Sequence, residues 1–274
     1  MDNINIIITK AEDKHIPELA KLWSENFGDS TEYINFFMEN RFPSCRGIVA
    51  LLNDKVVGSQ YLMPVITMEY GSLKKGYYLY ALSVHSNCRN QGIGKKLVEY
   101  ACNLAEKENA FIILCPASKK LVDYYKKLGF IENTYVCMET KHPLDTHCAD
   151  IHELTVSDFE SMRNTSFENP ILWDKYALEY VLEENKFVGG INIRIDYRGS
   201  YYVIGRIDSG RLIVLESNIP DKTRDEVTSI LCTHFEIEEI IWTVPFNSGK
   251  TEPILYGMTY NLQKNNYYFN LILN

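Results

Sequence analysis

Between Val84 and Leu97 an apolar segment runs into a short polar turn, then two spaced glycines, then a helix. Ile93, Leu97, Ala101 and Leu104 follow at intervals of four, four and three residues, one face of a helix. The first turn of that helix presents N–H groups without intrahelical partners, at the positive end of the helix dipole. Gly92 and Gly94 leave room for an anion to reach those groups, so the junction suits a phosphate or pyrophosphate. Two common phosphate loops are excluded. The dinucleotide pattern needs a third glycine where Leu97 stands. The nucleoside-triphosphate loop needs a glycine in place of Arg89 and Ser or Thr in place of Lys96.

The flanking segments alternate between the two periodicities. A short β-branched strand is predicted over 5–9, then a helix with Leu19, Leu22, Trp23 and Phe27 on its apolar stripe. Gly28-Asp29-Ser30 breaks it, and a second helix carries Tyr33, Ile34, Phe37 and Met38 as far as Pro43. Strands over 48–52 and 55–60 join in a tight hairpin around Asn53-Asp54. Strand continues over 61–70, a turn covers 71–76, and a strand over 77–84 leads into the junction, with both faces buried. After the helix, expected over 91–107, the run 110–115 reads as a strand. Ser118 is placed to cap a helix with Leu121, Tyr125 and Leu128 on one face, and Gly129-Phe130 stops it before a strand over 131–140.

Arg89-x-x-Gly92-x-Gly94 resembles the acyl-coenzyme A loop of the GNAT N-acetyltransferase superfamily. Two further features stand in the matching order: Leu82-Ser83-Val84 at the family's cofactor-facing strand, and Tyr125-x-x-x-Gly129-Phe130 at its Tyr-x-x-x-Gly-Phe helix ending. The resemblance covers about the first 140 residues. It implies an α/β GNAT fold with a mixed central sheet, and acetyl-CoA as the cofactor. It also implies a cofactor-binding set of Leu82, Ser83, Val84, Arg89, Asn90, Gln91, Gly92, Ile93, Gly94 and Lys95. In that set the N–H groups of 91–95 meet the pyrophosphate, Arg89 turns the loop, and the backbone of 82–84 meets the pantetheine arm. Side-chain identity at Ser83 matters little in such an arrangement.

By the same resemblance Tyr125 is the catalytic general acid. A phenol of pKa ~10 can protonate a departing thiolate of pKa ~8.5 if it is hydrogen-bonded to it in the transition state. The residues alone leave open a core tyrosine on the stripe of Leu121 and Leu128, or a role for Tyr124. The general base is not legible. Glu25, Asp29, Glu32 and His85 are candidates, as is the carboxylate of Asn274, by likeness to the mycobacterial enhanced-intracellular-survival acetyltransferases.

Beyond residue 150 the order of elements recurs. Helical stripes at Phe159-Met162 and Trp173-Ala177-Tyr180-Val181 precede strands 191–196, 201–207 and 212–216. A helix with Val227, Ile230, Leu231 and His234 follows, and then strand 240–244; His234 reads as a core histidine. Between the third strand and the helix, residues 216–221 contain no glycine, and Glu216 and Asp221 would repel phosphate. The expected organisation is therefore a catalytic domain over 1–141 and a degenerate GNAT-like α/β domain over 150–274, in tandem. His142, His147, Cys148, Asp150 and His152 fit no zinc spacing and read as linker, so no metal is expected.

With a net charge of −8 a nucleic-acid backbone is an unfavourable partner, and a cationic amine is more compatible. Seven scattered cysteines without a Cys-x-x-Cys pair imply a reducing compartment. No apolar run reaches the ~20 residues of a membrane span, so a cytoplasmic protein without a membrane partner is expected. The functional expectation is an N-acetyltransferase that carries an acetyl group from acetyl-CoA directly to a primary amine of a small molecule or peptide. The alternative is a non-catalytic coenzyme A-binding regulatory module.

Overall fold

The computed structural model describes residues 5–246 and 252–270. The chain begins β1 (Ile6–Lys10), α1 (Ile16–Phe27), α2 (Thr31–Asn40), β2 (Arg46–Leu52), β3 (Lys55–Glu69), β4 (Ser72–Val84), α3 (Ile93–Lys107), β5 (Phe111–Leu114) and α4 (Lys119–Lys126). It continues β6 (Ile131–Lys141), β7 (Asp150–Glu153), α5 (Val156–Ser166), β8 (Leu172–Trp173), α6 (Lys175–Phe187), β9 (Ile191–Asp196), β10 (Ser200–Asp208), β11 (Arg211–Ser217), α7 (Asp221–Phe235), β12 (Glu239–Pro245) and β13 (Ile254–Tyr260). Two compact units result. One comprises 1–132 with 257–264, the other 133–256 with 265–274.

This division differs from the expected 1–141 and 150–274, because strand pairing and not chain order assigns the strands. β6 pairs antiparallel with β12 and so belongs with the second unit. The first unit takes β13 in its place, antiparallel to β5 through Met258–Tyr260. Tyr260 also donates its hydroxyl to Glu106 of α3.

The strand order of the first unit is β1-β2-β3-β4-β5-β13, and only β4 and β5 run parallel. Asn53 and Asp54 both have positive φ, as a two-residue hairpin of the primed type requires, and the turn stands where the sequence places it. The next turn is tighter than expected. Tyr70 and Gly71 alone make it, and residues 72–76 are already strand. One face of the sheet buries Leu19, Leu22 and Trp23 of α1 and the α2 stripe, with Trp23, Phe37 and Tyr61 packed at centroid distances of 4.6–5.6 Å, whereas Phe27, expected on the α1 stripe, is exposed at the helix's last turn. The other carries α3, whose Ile93, Leu97, Val98 and Ala101 are buried, and Gln60 donates to the Leu97 carbonyl at 2.6 Å. On α4 the buried residues are Val122 and Tyr125, and Leu121 is exposed. The stripe therefore runs one residue away from its expected line.

The second unit has the order β6-β12-β11-β10-β9-β7, with β11 and β12 its parallel pair. Its core gathers Val203, Leu212, Val227, Leu231 and Trp242. The alternation expected for β9 is incomplete. Asn192 is buried, receives a hydrogen bond from Asn185 at 2.9 Å and donates to the Leu182 carbonyl at 2.8 Å. His234 lies on the same helical face as Val227, Ile230 and Leu231, yet it is exposed, in the last turn of α7 just before the C-cap Glu236. All seven cysteines are free thiols. No described helix is long and apolar enough to cross a membrane.

Candidate functional site

The residues singled out at the glycine junction lie on the first unit, around the end of β4. β4 pairs with β5 only through Gly76–Tyr78 against Phe111–Ile113, and then runs on for six residues to Val84. On its other side β4 carries one extra residue against β3. Tyr61 pairs with Tyr80 and Ser59 with Ser83, and Ala81 within the bulge has φ +48°. A bulge increases local twist and re-aims the strand. Beyond it, Leu82 and Val84 are half-buried, whereas the Ser83 hydroxyl is buried 2.9 Å from that of Ser59. Ser83 thus spends its side chain on β3 and leaves only its backbone for a ligand.

After Val84 the chain is pinned before it reaches the glycines. The His85 N–H donates to the Val57 carbonyl at 2.9 Å. Arg89 Nε donates to the Val84 carbonyl at 3.2 Å, and its Nη2 to Asn26 Oδ1 at 2.9 Å. The guanidinium therefore ties the loop to β4 and α1. Gln91 Nε2 returns to the Asn87 carbonyl at 3.2 Å. Asn90 and Gly92 are left-handed, with φ +61° and +78°, and Gly92 is the N-cap of α3 without a side-chain cap. Lys95 is exposed, 3.6 Å from Glu99. The result is a loop fixed at its start and a helix end whose first N–H groups no side chain caps, a fit for an anionic group.

The two glycines serve different ends. A side chain at Gly92 meets open space, so its cost is the left-handed backbone, about 1–2 kcal/mol for an L-residue. A Cβ on Gly94 would stand 3.7 Å from Val84 Cγ2 and 3.8 Å from the Tyr124 hydroxyl, ordinary contacts. Gly92→Ala is expected to lower unfolding stability by that amount in urea titration, and Gly94→Ala to leave it unchanged.

Tyr125 is 6% exposed, with its ring 5.2 Å from Tyr124 and 5.6 Å from Phe130. Burial first, and the neighbouring Tyr124 second, push its pKa far above that of a free phenol. The group is a proton holder at any physiological pH. Half-buried Tyr124 reaches the α3 turn beside Gly94. Each carboxylate considered as base has a structural partner. Asp29 accepts from Trp23 Nε1 at 2.7 Å, and Glu25 lies 3.7 Å from His85 Nε2. Glu32 is held below its ordinary range by its own backbone N–H and by Ser30. Asn274 lies outside the described residues.

Sequence reasoning missed two contributors. Asn26 anchors Arg89, and nothing in its neighbours signals that. Cys115, directly after β5, has its thiol pKa pushed up by burial despite a hydrogen bond with Tyr78, where β4 and β5 part. The histidines of the presumed linker disperse. His152 lies 3.6 Å from Asp196, and His142 Nδ1 lies 3.2 Å from the Glu238 carbonyl. Among the described residues no three His, Cys, Asp or Glu side chains are grouped to hold a metal ion.

Residues 14–130 match the model of the acetyltransferase (GNAT) family. No curated protein matches the chain in sequence. Among solved structures, a probable N-acyltransferase from Enterococcus faecalis superposes with a TM-score of 0.74 at 13% identity, over 93% of this chain and 72% of that one. A GCN5-related N-acetyltransferase from Anabaena variabilis gives 0.70 at 15% identity, over 93% and 72%. Eis1 from Mycobacterium abscessus gives 0.66 at 10%, over 93% and 73%. The likeness is one of fold, and it extends over both units.

Proposed function

We propose that the chain, whose residues 14–130 match the model of the GNAT acetyltransferase family, is an N-acetyltransferase working in the cytoplasm. It carries an acetyl group from acetyl-CoA to a primary amine of a small molecule or peptide by direct attack. The supporting observation is the path of β4. It leaves β5 after Tyr78, passes a bulge at Ala81 and enters the uncapped start of α3. A strand diverging from its parallel neighbour has backbone groups to offer an extended amide-bearing arm. The helix end beyond it suits a pyrophosphate. Free cysteines throughout suit a reducing compartment.

Acetyl-CoA supplies an acyl thioester when bound. The backbone of Leu82, Ser83 and Val84 would hold the arm beside it, and one N–H of this strand would donate to the oxyanion. The N–H groups of Gln91, Gly92, Ile93, Gly94 and Lys95 would hold the pyrophosphate, with Arg89 and Asn90 fixing the loop that presents them. Tyr125 would keep its proton for the departing sulfur as the C–N bond forms and the C–S bond breaks. The incoming amine must be neutral to attack; its surplus proton passes to solvent, and Tyr125 takes back from solvent the proton it gave to the sulfur.

Acetyl-CoA at ~100 times its Kd should raise stability by ~2.7 kcal/mol, read as an upward shift in thermal unfolding. No shift with acetyl-CoA or any longer acyl-CoA overturns the reading. One observation favours the alternative of a coenzyme A-binding module without turnover: Tyr125 is packed between Tyr124 and Phe130 as a core residue would be. The two readings part at the release of free thiol in the presence of an amine panel, which only the enzyme gives.

A further inference from the structure

The first unit carries a second feature at the end of β4 away from the glycines. Residues directly opposite each other on paired strands share a face of the sheet. Arg46 stands opposite Leu62, Tyr77 opposite Pro64, and Lys75 opposite Ile66. This is the face that carries α3, since Gln60, two residues before Leu62, donates to the Leu97 carbonyl. The helix stops here. Its C-cap, Glu108, accepts from Arg46 Nη1 at 2.7 Å and from the Tyr77 hydroxyl. Beyond that point Ile66 is exposed, and an open cleft of about 690 Å³ has the size of a small-molecule site.

The lining carries one sign of charge. Lys10, Arg46 and Lys75 stand around an apolar floor of Leu62, Pro64 and Ile66, and among the described residues no carboxylate lines the space. Glu108, beside it, is paired with Arg46 and also feels the Lys75 charge. Lys10 has no carboxylate partner among the described residues. A further charge lies behind the wall. Ser44, part of the lining, accepts from Arg41 Nη1 at 2.9 Å. Arg41 is 1% exposed, and among the described residues its Nη2 has no hydrogen-bond partner and no carboxylate pairs with it. A guanidinium keeps its charge inside a protein, so burying one without a counter-charge is costly and leaves a positive field beside the cleft. In a chain of net charge −8 such a cluster does not follow from composition.

We propose that this cleft binds a small anionic amphiphile, a carboxylate with an aliphatic body. The cations of the rim hold its carboxylate, and the floor of Leu62, Pro64 and Ile66 takes its body. A compact polyanion would leave that floor in water, and an uncharged apolar molecule would leave the cations unanswered. The cleft lies at the start of β4 and the glycine junction follows its end, so binding here is independent of coenzyme A at that junction.

Isothermal titration of the full chain with octanoate near neutral pH, beside 1-octanol and acetate, tests the proposal. Octanoate should bind, octanol should bind about tenfold more weakly for want of the charge, and acetate, which has no body to bury, should give no measurable heat. Added salt should weaken octanoate and leave octanol unchanged. Lys10→Gln and Lys75→Gln, both at exposed positions, should each weaken octanoate about two- to fivefold and leave octanol unchanged. Ile66→Ser should weaken both ligands about three- to fivefold. Saturating acetyl-CoA should leave the octanoate affinity within about twofold. No heat with octanoate, equal affinity for octanol, wild-type affinity in both lysine variants, or displacement by acetyl-CoA overturns the proposal.

Discussion

Tyr125→Phe is expected to lower kcat by about 10²–10⁴-fold, the usual contribution of one positioned general acid, and to leave the Kd for coenzyme A within about twofold. The substitution removes a single oxygen. The ring and its contacts with Tyr124 and Phe130 stay, and among the described residues the hydroxyl has no hydrogen-bond partner whose loss would disturb the fold. Because burial raises the phenol's pKa far above its ordinary value, wild-type kcat should show no loss through deprotonation of this group as pH rises to about 10. Any fall in kcat/KM toward low pH reports the amine or an unassigned base. Tyr124→Phe is the control, since its hydroxyl lies by Gly94. Pre-steady-state thiol release, read beside coenzyme A titration, separates the outcomes. A Tyr125→Phe enzyme with unchanged turnover would make Tyr125 a core residue and move the acid to another group.

The legible parts of this chain are those set by local chemistry. Two left-handed residues at Asn53-Asp54, a left-handed Gly92 before a 3.6-residue stripe, and Ser118 accepting from the Leu121 N–H are each decided within four or five residues. What escaped is decided by contacts far apart in sequence. Which unit keeps β6 depends on its pairing with β12, about 100 residues on, and β13 reaches β5 from about 140 residues away. No periodicity carries that information, because pairing partners impose no pattern on one another at long range. Single polar residues escaped for the same reason. Asn192 reads as the solvent face of a half-buried strand until Asn185 and the Leu182 carbonyl are placed against it. Asn26 reads as a helix surface residue until Arg89 arrives.

Glu216 is the sharpest case, and it carries the largest expected effect on stability. Its sequence position suggests a carboxylate facing a phosphate loop, yet it is wholly buried. Arg163 Nε donates to it at 2.9 Å, and the hydroxyls of Tyr202 and Tyr268 donate to it at 2.8 and 3.3 Å. The acid therefore binds α5, β10, β11 and segment 265–270 to one another, with no charge turned outward. Glu216→Leu should cost about 3–5 kcal/mol, because it strands a buried guanidinium. Arg163 Nη1 is already without a partner among the described residues. The double variant Arg163→Met/Glu216→Leu should recover most of that loss, since an apolar pair of similar volume avoids two desolvation penalties. Urea unfolding followed by circular dichroism measures both, and a double variant no more stable than the single one would mean that geometry, rather than charge, is what the pair supplies. Burial and then the Glu216 charge raise the pKa of Tyr202, and the same two causes in the same order raise that of Tyr268. Their protonated forms are favoured in the folded state, so the stability linked to them is complete below the unfolded value of about 10 and is lost as pH rises beyond it. Alkaline unfolding should steepen above about pH 10, and the steepening should shrink in Tyr202→Phe.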